Sequence, residues 1–152
     1  MRISTLWAGA LAVVPLWAMA ATPWATATIV DGDAQLVREA VSHTLSEGVR
    51  LSREDIIHTG PATRMVRVEF ADGVIYDLGP ETRLMLAPPA RARGKTMARG
   101  YLLQGLVKVG LPGSKAADET LLASPRLELS SVARGAVVKV GANEAAVFAE
   151  SG

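Results

Sequence analysis

Residues 66–86 read Val-Arg-Val-Glu-Phe-Ala-Asp-Gly-Val-Ile-Tyr-Asp-Leu-Gly-Pro-Glu-Thr-Arg-Leu-Met-Leu, and this stretch decides the fold. Apolar and charged side chains alternate from Val66 to Phe70, with the period of two residues that is typical of a strand with one buried face. Asp72-Gly73 is a dipeptide preferred in two-residue turns, where positive φ is needed, so we expect the chain to reverse there. Apolar side chains alternate again from Val74 to Leu78. The stretch therefore predicts a β-hairpin.

The rest of the chain repeats this succession of short apolar segments and turns. Gly79-Pro80 ends the second strand of the hairpin, because proline has no N–H to donate to a ladder, and a third strand follows from Leu84 to Leu86. Further short strands are predicted at residues 55–58, 101–109, 121–123, 126–130, 135–140 and 145–149. Turn signals recur about every ten residues, a spacing typical of all-β domains. The predicted fold class is all-β: a short-stranded antiparallel sandwich or β-roll, or a short solenoid-like domain.

Residues 28–45 fit two different local structures. Asp31-Gly32, between Thr28 and Arg38, is typical of a first hairpin with another Asp-Gly turn. The alternative is a helix capped by Asp33. The apolar stripe of that helix would consist of Leu36, Val37, Ala40, Val41 and Leu45. The local pattern leaves both structures open, and the family resemblance described below favours the strands.

The first twenty residues have the pattern of a secretory signal peptide. Arg2 supplies a positive charge, residues 6–17 form an apolar segment, and Pro15 precedes the small-x-small cleavage site Ala18-Met19-Ala20. The apolar run is close to the minimum length that spans a bilayer, so an uncleaved membrane anchor is the alternative. We predict a signal peptide helix over residues 1–20, a flexible mature N-terminus over 21–27 and a β domain over 28–152.

Charge and cysteine content exclude several classes of function. The chain has 16 basic and 15 acidic residues, and the signal segment contributes one basic and no acidic residue, so the mature chain is formally neutral. A neutral chain with dispersed charges is a poor candidate for binding nucleic acid. There is no cysteine, which excludes disulfides and thiolate chemistry and suits export to the periplasm. A membrane would be a partner only if the signal segment stayed uncleaved.

No metal or cofactor site is predicted. His43 and His58 lack the spacing of a zinc site. Asp31-Gly32-Asp33 lacks the further oxygen ligands that a calcium loop needs, and a turn explains it better. We therefore expect the two histidines at the surface or on an edge strand, and Asp31-Gly32-Asp33 in a hairpin turn.

No catalytic residue is predicted either. Asp72, Asp77 and Glu81 cluster around the hairpin, but acid–base catalysis would need a cleft that perturbs their pKa values, and turn preferences already explain them. The serine-hydrolase motifs Ser-x-x-Lys and Gly-x-Ser-x-Gly are both missing from the sequence. We therefore expect a protein that is not an enzyme.

One basic segment interrupts the even distribution of charge. Arg91, Arg93, Lys95 and Arg99 lie within nine residues that contain no acidic side chain. Such a cluster could contact an anionic partner, such as an acidic protein surface or lipid headgroups, or could simply be a solvated loop. These four residues are the candidate partner-binding site.

The order of these elements resembles the FecR domain family. That family has a glycine before a short apolar segment, then an Asp, a Thr-Gly turn, an Asp-Gly hairpin, a polar turn and a Leu-x-Leu strand. The matching residues are Gly48, Asp55, Thr59-Gly60, Val66-Val68-Phe70, Asp72-Gly73, Tyr76-Leu78, Glu81-Thr82 and Leu84-Leu86. The likeness covers about residues 28–150, although Ala136 and Val138 depart from the Gly-Thr-aromatic pattern usual in the family.

The resemblance implies an extracytoplasmic β domain. Founding members of the family regulate iron-uptake sigma factors through a cytoplasmic segment and a single membrane span, and their outer part meets a receptor. No such cytoplasmic segment, and no small β-α-β subdomain, is expected from these 152 residues. We therefore expect a non-enzymatic periplasmic module that binds an envelope protein or a cell-wall glycan. The alternative is a membrane-anchored regulator of sigma-factor signalling that retains its N-terminal segment.

Overall fold

The computed structural model describes residues 23–87, 98–111, 120–130 and 135–149. Within these ranges every regular element is a β-strand, and no helix is long and apolar enough to cross a membrane. The all-β prediction is therefore confirmed. The predicted signal peptide helix over residues 1–20 lies outside the described residues.

Thirteen strands follow one another in the described residues. They are β1 (Ala25–Asp31), β2 (Ala34–Arg38), β3 (Val41–Thr44), β4 (Arg50–Leu51), β5 (Ile56–Thr59), β6 (Met65–Phe70), β7 (Ile75–Leu78), β8 (Arg83–Leu86), β9 (Gly100–Gly110), β10 (Leu122–Ala123), β11 (Glu128–Leu129), β12 (Gly135–Val140) and β13 (Ala145–Ala149). Each strand predicted after residue 54 is present, with bounds that differ by at most two residues at either end.

Strand β9 joins two half-sheets. Its N-terminal half pairs with β8 and, in parallel, with β10, whereas its C-terminal half pairs with β7 and β12. The strands run in the order β3-β2-β5-β8-β9-β7-β6-β1-β4, with β10–β11 and β12–β13 attached beside β9. The pairing is otherwise antiparallel, and the sheet curls into a half-barrel. Of the three predicted architectures, the roll is the nearest to this arrangement.

A glycine bends β9 where the two half-sheets meet. Gly105 has a φ of +99°, and any side chain at this position would collide with Thr82. Buried threonines then connect the neighbouring strands: the Thr59 hydroxyl donates to the Gly79 carbonyl at 2.7 Å, and the Thr82 N–H donates to Thr59 Oγ1 at 2.8 Å. The bend is therefore set by local backbone conformation and by a buried hydrogen-bond network.

The inner face of the curled sheet forms one apolar core. Along the hairpin the alternation predicted from the sequence is confirmed, because Val66, Val68 and Leu78 are fully buried and Glu69 is exposed. An aromatic group extends the core toward the N-terminus. The rings of Trp24 and Phe70 meet edge to face at 5.1 Å between centroids, and those of Phe70 and Tyr76 at 4.8 Å.

The predicted hairpin reverses at Asp72-Gly73, but its loop has three residues and not two. Phe70 and Val74 close the loop, since the Phe70 N–H donates to the Val74 carbonyl at 2.9 Å. Within the loop only Gly73 has a positive φ, of +90°. The dipeptide therefore serves the three-residue type of hairpin, which needs a single left-handed residue.

The N-terminal prediction needs two corrections. Residues 28–38 are strands and not helix, but β1 and β2 do not form a hairpin with each other. Strand β1 pairs with β6 and β4 in one half-sheet, and β2 pairs with β3 and β5 in the other, so Asp31-Gly32 carries the chain between half-sheets. Strand β1 also begins at Ala25 and buries Ala25 and Ala27, so the domain starts before the predicted residue 28.

Candidate functional site

The strand β13 lies at an edge of the sheet. It pairs with β12 from Ala136↔Ala149 to Val140↔Ala145, and within the described residues no strand pairs with its other side. Edge strands of this kind leave a row of backbone N–H and C=O groups unpaired. We call these unpaired groups, together with the side chains of Ala145–Ala149, the β13 edge.

Within the part of the chain that the structure describes, the β13 edge lacks the usual protection of an edge strand. Its sequence Ala-Ala-Val-Phe-Ala has no charge and no proline, whereas natural edges are commonly protected by lysine, proline or a bulge. Phe148 is 62% exposed and Val147 is 38% exposed. By contrast, the edge strand β3 has polar Ser42, His43 and Thr44 after Val41.

The pattern of hydrogen bonds shows which backbone groups of β13 point outward. The turn between β12 and β13 is closed by the Gly141 N–H, which donates to the Glu144 carbonyl at 2.8 Å. Hydrogen-bonded and non-hydrogen-bonded pairs alternate along an antiparallel ladder. The backbone groups of Ala146 and Phe148 therefore face β12, and those of Ala145, Val147 and Ala149 face away from it.

The two faces of β13 differ in what surrounds them. Val147 lies opposite the fully buried Val138 and so shares the inner face with the core. Phe148 lies opposite Val137, and Ala146 lies opposite the exposed Lys139, both on the outer face. A strand added here would meet an apolar inner edge and a mixed outer surface.

The predicted basic site is only partly within the described residues. Arg91, Arg93 and Lys95 lie outside them. Arg99 is described, and its side chain is 11% exposed: it pairs with Asp72 at 2.7 Å and stands over the Phe70 ring at 5.1 Å. Burial raises the pKa of Asp72, but hydrogen bonding and charge from Arg99 outweigh it, so the pKa lies below its usual value. Arg99 thus has a structural role at the hairpin loop.

The other carboxylates near the hairpin do not converge with Asp72. Asp77 pairs instead with Arg67 on the neighbouring strand, with two hydrogen bonds of 2.7 and 3.0 Å, and the hydrogen bond to Asp77 raises the pKa of Arg67. Glu81 is exposed in the turn before β8, with a φ of +50°. Asp72 and Asp77 thus have separate arginine partners.

The histidines lie on opposite faces of the sheet. His43 is opposite Leu36 in the register and His58 is opposite Gln35. Because cross-strand partners share a face, and Gln35 and Leu36 are adjacent in one strand, the two imidazoles cannot approach each other. Within the described parts of the chain, no group of three His, Asp or Glu side chains could hold a metal ion.

The sequence did not predict two features of the structure, the Arg38–Asp55 ion pair and the exposed β13 edge. The ion pair of the buried Asp55 with the partly exposed Arg38, at 2.6 Å, depends on segments that are distant along the chain. The exposure of the β13 edge depends on strand order. The one available signal for the edge was the uncharged composition of Ala145–Ala149.

No family model, curated protein or solved structure matches this chain. The function is therefore inferred from the geometry of the described residues.

Proposed function

We propose that the protein is an exported, non-enzymatic binding module that takes up an extended segment of an envelope protein along its β13 edge. The observation that carries this proposal is the uncharged, exposed strand Ala145–Ala149, which has no second neighbour among the described strands. Strand addition of this type uses main-chain hydrogen bonds for affinity and alternate side chains for specificity. The module itself resembles a FecR domain in the order of its turns and strands.

The chemistry of the edge favours a polypeptide partner over a glycan. Ala145, Val147 and Ala149 present alternating N–H and C=O groups, and an extended peptide backbone has the matching spacing. Val147 and Phe148 add apolar surface on the two faces. A glycan has no repeating donor–acceptor ladder of this kind, so the cell-wall alternative is less well supported.

The proposal can be tested by site-specific photo-cross-linking in the native host. A photoreactive phenylalanine analogue replaces Phe148 in the full chain, because this ring is exposed at the edge. We expect one envelope protein to be cross-linked, and mass spectrometry of the adduct to place the link in an extended segment.

A matched pair of variants identifies the contribution of the backbone. Val147→Pro removes an outward N–H, and proline is tolerated where the N–H of an edge strand faces solvent. Val147→Ala removes the same side chain but keeps the N–H. The cross-link should be lost in Val147→Pro and kept in Val147→Ala. A cross-link that survives Val147→Pro, or that joins two copies of this chain, would overturn the proposal.

Export is tested separately by the mass of the protein recovered from fractionated cells. A periplasmic species that begins at Ala21 supports cleavage after the Ala18-Met19-Ala20 site. A full-mass species in the inner membrane would contradict the exported module. It would support a membrane-anchored regulator of sigma-factor signalling instead.

A further inference from the structure

We infer that the segment added to β13 is antiparallel, apolar toward the core, and acidic at the outer-face position opposite Ala146, where Lys139 selects it. This inference rests on the proposed function and names the chemistry of its partner. The observation that supports the inference is the register of β12 and β13, which places Lys139 beside Ala146.

Lys139 lies on the outer face between two apolar cross-strand neighbours. It is opposite Ala146 on β13 and opposite Leu106 on β9, while the flanking Val138 and Val140 point into the core. Lys139 is exposed, and none of the described acidic residues forms an ion pair with it. The outer surface beside β13 therefore carries a positive charge that is not neutralised within the described residues.

The nearest acidic residue in sequence is directed elsewhere. Glu144 begins the approach to β13, but its side chain lies over Gly141, where a Cβ would be 3.4 Å from Glu144 Cγ and 3.9 Å from Oε1. Glu144 therefore leaves Lys139 without an acidic partner among the described residues.

The distance across Ala146 suits an ion pair. Neighbouring strands lie about 4.8 Å apart, so a residue opposite Ala146 on an added strand would be about 10 Å from Lys139 between Cα atoms. Extended lysine and glutamate side chains together cover that span, and the methyl group of Ala146 leaves the path open. A larger residue at position 146 would block this contact.

The register also defines the rest of the partner. Positions opposite Ala145 and Val147 face the core side and should be apolar, and the position opposite Phe148 should present a further apolar or aromatic side chain. Read from its N-terminus, the partner pattern is apolar, apolar, acidic, apolar. A second copy of β13 contains no acidic residue, so pairing of Ala145–Ala149 with itself would put no carboxylate opposite Ala146.

The test uses the full chain and three short capped peptides with the central pattern Val-Val-X-Val, extended at both ends by threonine and valine. The peptides differ only at the central outer-face position, which is Glu, Gln or Lys. Binding is measured by fluorescence polarisation at low ionic strength, with the wild type, Lys139→Glu and Arg83→Glu. Arg83 is exposed on β8 in the other half-sheet, so it controls for the change in net charge.

For the wild type we expect the Glu peptide to bind about two- to fivefold more tightly than the Gln peptide, the range of an exposed ion pair. The Lys peptide should bind most weakly. Lys139→Glu should reverse this order and Arg83→Glu should preserve it, and added salt should reduce the preference.

The contrary outcomes separate the two proposals. If all three peptides bind equally and Val147→Pro abolishes binding, strand addition holds and the selection of an acidic residue is wrong. If no peptide binds, or if Val147→Pro binds like Val147→Ala, the proposed function itself fails. A dimer in sedimentation velocity that Val147→Pro dissociates would assign the edge to a second copy and overturn both.

Discussion

Thr82 and Leu106 hydrogen-bond to each other beside the bend in β9. The Leu106 N–H donates to Thr82 Oγ1 at 3.0 Å, and this hydroxyl lies 3.1 Å from the Leu106 carbonyl oxygen. Thr82 therefore fills the space next to Gly105 that any side chain would need. This relationship makes position 105 sensitive to the smallest possible substitution.

We expect Gly105→Ala to lower the free energy of unfolding by about 3 kcal/mol or more, because a positive φ and a steric clash act together. Gly48→Ala is the control, since Gly48 also has a positive φ, of +82°, but nothing lies within 4 Å of its missing Cβ. Its loss should be about 1 kcal/mol. Urea titrations measure both, and equal losses would contradict the role of Thr82.

A buried carboxylate gives the second prediction. Asp55 is 1% exposed, and it accepts hydrogen bonds from Arg38 at 2.8 and 2.6 Å and from the Ser52 N–H at 2.7 Å. The hydrogen bond to Asp55 raises the pKa of Arg38. Asp55→Asn should cost about 2–4 kcal/mol of unfolding free energy, because it removes the buried charge that accepts from three N–H groups and turns an amide NH₂ toward one of these donors.

The control for Asp55→Asn is Asp77→Asn, which removes the same charge from the partly exposed pair with Arg67. Such a pair contributes about 1 kcal/mol or less. Chemical denaturation of both variants should therefore separate them clearly. Similar losses would mean that burial does not strengthen the Arg38–Asp55 interaction.

The ion pair of Asp72 with Arg99 predicts a pH dependence. The pKa of Asp72 is lower in the folded protein than its usual value, about 3.9 in an unfolded chain. Because folding lowers this pKa, the ionised Asp72 stabilises the folded protein. The stabilisation is complete at pH values above the pKa of the unfolded state, and it is lost as the pH falls through the pKa of the folded state. The gap in unfolding free energy between wild type and Asp72→Asn should thus be constant above about pH 5.

Below about pH 4 the same gap should shrink toward zero, because both proteins then lack the charge. Comparing the two proteins at each pH cancels the titration of all other carboxylates. A gap that grows on acidification would contradict the assignment of the stabilisation to Asp72.

The turn between β2 and β3 is strained, and this gives the fourth prediction. Glu39 and Ala40 have φ values of +50° and +63°, and Arg38 pairs directly with Val41, which is the geometry of a two-residue turn that prefers Asn-Gly. Replacing Glu39-Ala40 by Asn-Gly should raise the unfolding free energy by about 1 kcal/mol.

The same replacement at Ala142-Asn143 is the matched control. This turn also joins two paired strands, but neither of its residues has a positive φ. Asn-Gly should therefore give no gain there and should slightly lower stability through the added freedom of glycine in the unfolded chain. Thermal unfolding compares the two, and a gain at both turns would show that strain is not the cause.

The sequence predicted the elements better than their partners. The alternation from Val66 to Leu78 reports burial on one face, so the hairpin was predictable and the core residues followed. The segments on either side of Asp31-Gly32 look locally like another hairpin. Their true partners, β6 for β1 and β5 for β2, are set by long-range register, which a local pattern does not contain.

At the candidate site, too, the strand was predictable from the sequence and its position in the sheet was not. The strand at Ala145–Ala149 and its lack of charge were readable from the residues. The sequence does not show the order of the strands. That order leaves one side of β13 unpaired, within the described residues, and puts Lys139 opposite Ala146. Strand β3 was missed because Val41 is followed by three polar residues and shows no apolar alternation.

The shared strand β9 has a consequence for how the chain reaches its folded state. Strands β7 and β8 both pair with β9. Each half-sheet is therefore incomplete until residues 100–110 have paired with it. Neither half can serve as a finished folding unit on which the other is later added. We therefore expect assembly to be late and concerted, with both halves lost in a single cooperative transition on denaturation.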